Sequence, residues 1–378
     1  MNILFMTDTD LRIGRGTENV VLNLIKYKPH DIDIVIVGTD YLPEIRMSDE
    51  DYKIILSNSK ILKMKHMEFH KNFIMRQYYT IIRKKPLKLA DTLNPEVKNA
   101  IKNADIIYLF FNAYAFLVEN VNVPVIASNH ITAPEEIFPT VNDNLIVKIY
   151  KKIMFKTYYK NINGFHMFFK NSIVPEMKYN MVLGNGVDTN LFYPDFNVKN
   201  KKLKILFVAA LVPEKGLDIL LPLIDKFKRN DSVEFHIAGG GPMEKEIMKR
   251  KNIIFHKSPD NTELSQIYRS CDIFVYPSHL DNFPLVTLEA LSSGLFVLAG
   301  NFLKGRFDDF ENKYLKYIPM NVNSFYDAIN EIIENRELIE HDKKLEYEYV
   351  KDNYDWSVIA GKFYDYMRKF HTMNKNLE

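Results

Sequence analysis

This sequence predicts two doubly wound α/β domains in tandem, and three observations carry the prediction. Short apolar runs rich in Ile, Val and Phe alternate with longer amphipathic stretches, the rhythm of parallel sheets covered by helices on both faces. The rhythm stops at a polar bridge, YPDFNVKNKKLK from Tyr193 to Lys204, and then begins again. At 378 residues the chain is also longer than one core usually serves.

In the first half, strands are expected at Asn2–Met6, Asp33–Gly38, Asp105–Phe111, Pro124–Asn129 and Gly164–Phe169, with helices between them. The apolar run from Ile106 to Val118 falls short of the roughly 18 residues a spanning helix needs, so it divides into a strand and the start of a helix. In the second half, strands are expected at Lys204–Ala209, Val233–Ala238, Ile253–His256, Ile273–Tyr276 and Leu295–Ala299. Sheets of this kind bind ligands beyond the carboxyl ends of their strands, so the loops there are where a site belongs.

Composition excludes several classes of function. With 47% hydrophobic and 26% charged residues the chain is globular, and a net charge of +2 gives no reason to expect nucleic acid as a partner. The single cysteine, Cys271, excludes an internal disulfide and any cysteine-cluster metal site; it reads as a small buried residue ahead of a strand and suits a reducing cytoplasm. The opening MNILFMTDTD has no basic leader and is interrupted by Asp8, so it reads as a first strand and not as a signal peptide. A cytoplasmic protein, soluble or peripheral on a membrane, is the expectation.

Two glycine-rich loops follow strands and open helices: IGRGTEN, with Gly14, Arg15 and Gly16, and AGGGP, with Gly239 and Gly240. Amides at a helix N-terminus, approached closely where glycine has no side chain, suit a phosphate, and an ordinary tight turn fits each loop equally well. Neither has the spacing of a P-loop or of a dinucleotide fingerprint. Lys215, in VAALVPEKGLDILL, adds a cation just ahead of Gly216 and a helix. The stretch YPSHLDNFPLVTLEALSSG then sets Asp281 in a loop and Glu289 inside an apolar helix that begins near Pro284. A carboxylate in such a helix is costly unless a polar group meets it, and as a pure acceptor it can take two hydroxyl protons at once.

Six segments in order carry a resemblance over nearly the whole chain: RGTENVVLNL, NGVDTNLFYP, LVPEKGLDIL, IAGGGP, YPSHLDNFPLVTLEALSSG and DNYDWSVIAGKFYDYM. They resemble the retaining glycosyltransferases of the GT-B fold known as family 4 (glycosyl transferases group 1). The resemblance implies two Rossmann-like domains facing a cleft, an acceptor domain at 1–190 and a nucleotide-sugar domain at 191–355. It also implies a C-terminal helix at 356–378 that crosses back to the first domain, with Trp356 at the hinge. Asp281 and Glu289 fall on the two acids of the family's E-x7-E motif, which implies that Glu289 binds the ribose hydroxyls and Asp281 the donor sugar. By the same resemblance His130, in ASNHITAPEE, lies near the reaction centre, while Lys215 and the glycine loops hold the diphosphate. The amides of Asn282 and Phe283 would then face the sugar or its phosphates. The implied donor is a nucleoside diphosphate sugar of UDP or GDP type, with no cofactor and no metal, and the implied acceptor is a glycan or lipid-linked glycan.

The sequence departs from the family's pattern at three places. Ala210 occupies the position of an arginine, Asp281 replaces a glutamate, and Arg15-Gly16 stands where a glycine pair is usual. Arg15 is therefore a candidate to replace the missing arginine, and a weak or inactive protein that binds a nucleotide or supports a partner enzyme is the alternative. Other patterns carry less. Asp8-Thr9-Asp10 has the D-x-D form of metal-binding glycosyltransferases but follows the first strand and reads as loop capping, and His66 and His70, one helical turn apart, lack a third ligand.

Charge is uneven along the chain. Lys53 to Lys102 holds 12 basic against 3 acidic residues and Lys148 to Lys178 holds 7 against 1, both interleaved with Phe, Tyr, Met and Ile. Basic amphipathic helices of that composition suit an anionic bilayer and a lipid-linked acceptor. Co-sedimentation with anionic liposomes is expected and should weaken as salt rises; no salt-sensitive binding would exclude the membrane association.

Overall fold

The computed structural model describes residues 1–66, 68–69, 87–88, 93–118, 121–131, 145, 149, 160, 162–170 and 179–375. The chain forms two compact units, one of Met1–Leu183 with Ala360–Glu378 and one of Gly184–Ile359. The segment from Tyr193 to Lys204 lies inside the second unit.

The first unit is built on a seven-stranded parallel sheet in the order β3-β2-β1-β6-β7-β8-β9. Its strands are β1 (Asn2–Met6), β2 (Asp33–Thr39), β3 (Lys60–Met64), β6 (Ile106–Phe111), β7 (Val125–Ile131), β8 (Gly164–Met167) and β9 (Tyr179–Val182); β4 (Glu68–Phe69) and β5 (Leu87–Lys88) form a separate antiparallel pair. Every residue of β6 is buried, which is why IIYLFF takes a central place. Helix α1 (Gly16–Lys26) opens where the Glu18 carboxylate accepts the Arg15 amide at 3.0 Å, α2 (Asp49–Asn58) is capped by Ser48, and α3 (Pro95–Lys102) by Asn94 with proline at its first position.

The second unit repeats the plan with six parallel strands in the order β12-β11-β10-β13-β14-β15. These are β10 (Leu203–Val208), β11 (Val233–Gly239), β12 (Ile253–Lys257), β13 (Ile273–Tyr276), β14 (Phe296–Gly300) and β15 (Leu315–Ile318). Between and after them come α4 (Leu217–Lys226), α5 (Glu244–Met248), α6 (Asn261–Ser270), α7 (Leu285–Ser292), α8 (Val322–Glu334), α9 (Lys343–Tyr354) and α10 (Trp356–Lys375). In each sheet the strand order reverses beside the first strand, between β1 and β6 and between β10 and β13. Such reversal points open crevices in which ligands of α/β proteins bind.

The ten anticipated strands are present with ends shifted by a residue or two, while β3, β4, β5, β9 and β15 were not anticipated. His66 follows β3 and lies on no helix, so its predicted pairing with His70 on one helical face fails; His70 is outside the described residues. Ile106 to Val118 divides as expected, a 3-10 segment (Asn112–Val118) following β6. Cys271 is buried, and burial pushes its thiol up to about 12, which leaves it inert. Among the described residues no helix is long and apolar enough to cross a membrane.

Residues of α10 beyond Ile359 help to close the first unit. The Phe363 ring meets Tyr108 edge-on at 5.2 Å and Phe5 at 6.1 Å, and the buried Tyr364 hydroxyl donates to the Leu24 carbonyl at 2.6 Å. Phe363→Ala removes a fully enclosed ring and is expected to lower the stability of this unit by about 3–5 kcal/mol, read as an earlier urea transition of the first unit while the second unit's is unchanged.

Candidate functional site

The loops after β10 and β13 are set against each other by contact between their backbones. Lys215 ends a 3-10 turn (Pro213–Lys215), and Gly216 follows in the left-handed region at φ 79°. A Cβ on Gly216 would lie 1.9 Å from the Pro277 carbonyl oxygen, so no residue with a side chain fits there. The same two loops are tied by the His279 amide, which donates to the Glu214 carbonyl at 2.9 Å.

This approach brings together two of the residues singled out from the sequence. The Lys215 ammonium meets Asp281 Oδ2 at 2.6 Å, and the Tyr276 hydroxyl donates to that same oxygen at 2.9 Å. Both side chains of the ion pair are mostly buried, Lys215 24% and Asp281 18% exposed, so water screens the pair less than it would a surface pair. The backbone around Asp281 is held from two further directions. Asn185 Nδ2 donates to the Phe283 carbonyl at 3.2 Å, and Arg306 Nε donates to the Asn282 carbonyl at 2.6 Å. Burial lowers the pKa of the Arg306 guanidinium, and the nearby charge of Asp281 opposes that shift. The Asp281 to Pro284 loop is thus held by side chains from three separate segments before α7 begins at Leu285.

Glu289 lies within α7, half-buried, and its Oε2 is 3.0 Å from the Tyr268 hydroxyl of α6. That hydroxyl also lies 3.1 Å from the Val286 carbonyl, so its one proton is shared between two acceptors. Burial pushes Glu289 up to about 7, only partly offset by the bond from Tyr268. A carboxylate in this state gains from any ligand hydroxyl that donates to it.

The glycine loop after β11 is closely packed. A Cβ on Gly239 would lie 1.9 Å from the Ala209 carbonyl oxygen and one on Gly240 2.3 Å from Ser258 Oγ, while the Gly241 amide donates to Glu244 at 3.2 Å. In the first unit Gly14 is left-handed at φ 62° and closes the turn ahead of α1, where its Cβ would press on the Met47 amide at 2.6 Å. An added Cβ on Gly16 would meet nothing within 4 Å. Arg15 pairs with Glu44 at 2.7 Å on the surface. His130 belongs to β7, but its side chain lies outside the described residues, as do Glu135 and Glu136. Among the described residues no group of three His, Cys, Asp or Glu is placed to hold a metal ion.

Sequence reasoning missed Tyr268, Tyr276, Arg306 and the role of Asn185. Tyr276 and Asn185 stand inside motifs that were noticed, so a search for hydroxyl or amide partners of the two acids would have found them. Tyr268 and Arg306 leave no signal in the sequence, because only the fold brings them to Glu289 and Asn282.

Residues 190–349, which hold Lys215, Asp281 and Glu289, match the family described as Glycosyl transferases group 1. These residues are a glycosyl transferases group 1 domain. Sulfoquinovosyl transferase SQD2 of Arabidopsis thaliana is 32% identical over 127 residues, which cover 30% of this chain and 24% of that protein. The chain spans about a quarter to a half of the length of the curated relatives it matches. Its fold is that of sucrose-phosphate synthase from Thermosynechococcus elongatus, with a TM-score of 0.70 and 14% identity over 99% of this chain and 100% of that one. Anabaena HepE in complex with UDP and glucose is similar at a TM-score of 0.68 and 14% identity, over 97% of this chain and 99% of that one. The fold is thus GT-B, as the sequence implied, with two Rossmann-like sheets.

Within the group 1 domain, Lys215, Gly239, Gly240, Asp281, Asn282, Phe283 and Glu289 all lie in the matched stretch. The raised Glu289 works against the stability of the empty protein. Its usual value of 4.5 rises to about 7, so the stability linked to its protonation is complete below pH 4.5 and is lost as pH climbs through 7. Glu289→Gln keeps the shape and removes the ionisation. The ligand-free protein should gain roughly 1–3 kcal/mol at pH 8 and almost nothing near pH 4.5, measured by urea unfolding at both values.

Proposed function

We propose that the protein is a glycosyltransferase that moves a sugar from a nucleoside diphosphate sugar to an acceptor hydroxyl, with retention of anomeric configuration. The observation that carries this reading is the pair of carboxylates in the group 1 domain: Asp281, ion-paired to Lys215 in a braced loop, and Glu289, held by Tyr268 and raised to about 7. In this reading Glu289 accepts protons from the ribose hydroxyls and the remaining oxygen of Asp281 accepts from a hydroxyl of the donor sugar. Each bond is charge-assisted, and bonds of that kind fix position well.

The diphosphate belongs beside Lys215. Arg306, which approaches the same loop, is assigned the role of the arginine missing at Ala210, since a guanidinium can meet two phosphate oxygens at once. Arg306 takes this role in place of Arg15, which pairs with Glu44, and His130 keeps the role the family resemblance implies. The acceptor oxygen forms its bond to the anomeric carbon on the face from which the diphosphate departs; the bond from that carbon to the phosphate oxygen breaks, and the departing diphosphate takes the acceptor proton. The protein's task is then to orient the partners and stabilise charge on the leaving group. A UDP-type donor is favoured by the fold relative solved with UDP and glucose. The acceptor is assigned as a glycan or lipid-linked glycan, with the basic stretches as its membrane-facing elements. Ala210 favours a second reading, a binding protein without turnover.

Thermal stability measured against UDP, GDP, ADP and their sugars separates these readings. A ligand at 100 times its dissociation constant adds about 2.7 kcal/mol, so one nucleotide series should raise the melting temperature, and the rise should be lost in Glu289→Ala. A shift without release of free sugar or transfer to any acceptor would leave the binding protein, and no shift with any nucleotide would overturn both.

A further inference from the structure

The first unit has its own reversal point, and two buried polar atoms there, one oxygen of Asp8 and the hydroxyl of Tyr114, have no hydrogen-bond partner. Asp8 follows β1 and Tyr114 follows β6; these strands pair in parallel with Met6 opposite Leu109, so both residues leave the sheet at the same end. Tyr114 is 0% exposed and its ring packs edge-on against Phe111 at 4.9 Å, yet its hydroxyl makes no hydrogen bond. Asp8 Oδ1 is likewise enclosed and without a partner. Leaving such groups unpaired is expensive, and folded proteins rarely do so without a reason.

The surroundings are assembled around these two groups. His66 places Nδ1 3.1 Å from the Asp8 carbonyl, its own amide donates to Asp40 at 2.7 Å, and the Tyr41 ring stacks on it at 4.6 Å. Asp40 and Tyr41 follow β2, so residues that follow three neighbouring strands gather around Asp8. Asp10, by contrast, is spent on structure: it caps the turn through the Arg12 amide and pairs with Arg12 and Lys63, which holds it near 2. The loop-capping expectation for Asp8-Thr9-Asp10 therefore holds for Asp10 and fails for Asp8. Thr9 donates to Glu18, so Glu18 does not serve as the partner of Asp8.

We propose that Asp8 and Tyr114 form a hydroxyl-binding subsite for a polyol, the Asp8 carboxylate accepting a proton from one ligand hydroxyl and the Tyr114 hydroxyl donating to a ligand oxygen. A hydroxyl is the one common group that satisfies both, being donor and acceptor at once. Tyr41 adds an aromatic face of the kind that lies against the C–H surface of a sugar ring. Naming the ligand as the sugar acceptor rests on the transferase reading; the subsite itself does not.

Saturation-transfer NMR on the full chain, with methyl α-D-glucopyranoside, methyl α-D-mannopyranoside, myo-inositol and glycerol as probes, tests this directly. At least one probe should bind the wild type, and Tyr114→Phe and Asp8→Asn should each weaken it roughly five- to tenfold. Both changes conserve shape, and Tyr114→Phe, which removes an unpaired hydroxyl, should leave the melting temperature unchanged or higher. Burial raises Asp8 to about 6, with a bond from its own backbone amide, His66 and Arg15 opposing and Glu18 raising it further, and Tyr114 and Asp40 bordering the same space. A ligand that donates to the ionised carboxylate should therefore bind more weakly as pH falls through 6, and Asp8→Asn should abolish that dependence.

A site that holds only water would leave probe affinity the same in both variants, and a wild type that binds none of the probes also overturns the proposal. The nucleotide response is read on the same variants. UDP binding that persists while neither change affects any probe would sink the subsite alone. Probe binding that depends on Tyr114, in a protein that answers to no nucleotide, would sink the transferase reading and leave the subsite standing.

Discussion

The approach of Gly216 to the Pro277 carbonyl sets the spacing on which the second unit's site depends. Strand register fixes where β10 and β13 end, and this backbone contact, together with the bond from the His279 amide to the Glu214 carbonyl, determines how far apart their loops lie. With the loops at this distance the Lys215 side chain reaches Asp281, and Asp281 is in turn held by Tyr276 from the end of its own strand. The Asn185 and Arg306 bonds then act on a loop already located. A wider gap would leave a lysine and an aspartate on separate surface loops, each hydrated and neither able to orient a ligand.

Both reversal points concentrate groups that oppose folding. Glu289 lies by one and Asp8 with Tyr114 by the other, each with a titration shifted by burial. The ordinary core is different: His166, enclosed between the Tyr108 hydroxyl at 2.5 Å and the Leu183 carbonyl at 2.7 Å, is fully satisfied. A raised carboxylate is not by itself a mark of function, because Glu346 is also pushed up to about 7 beside His341, away from either reversal point. Location at the strand ends is what separates the first two from the third, because Glu346 Oε1 is also enclosed without a partner.

Strands at the centre of each sheet were legible because both their faces are covered. IIYLFF, LKILFV and IFVY are apolar almost throughout. The unanticipated strands of the two parallel sheets, KILKM, YNMV and LKYI, lie at sheet edges, where one face or end meets water and polar residues interrupt the run. Their period then resembles that of a loop or a helix. In the site, the acids and the lysine were legible because charge stands out in an apolar context. Their partners were not, since a tyrosine or arginine in an amphipathic helix or loop looks the same whether it faces solvent, a carboxylate 21 residues away or a backbone carbonyl 24 residues away. The glycine loop after β11 carries a constraint its spacing does not reveal, the close approach of the carbonyls of Ala209 and Leu211.

The membership of residues 360–375 in the first unit orders events during synthesis. Phe363, Tyr364 and Arg368 close a core whose other members lie in the first 183 residues. When that first portion leaves the ribosome, the ring contacts to Phe5 and Tyr108 have no donor yet, and they remain open until the whole second unit has been made. At ordinary rates of elongation this interval lasts some tens of seconds. The second unit has all its elements within one continuous stretch and is free to fold first among the two after emergence, so the nascent first unit spends that time with apolar surface exposed and is the part most in need of chaperone cover.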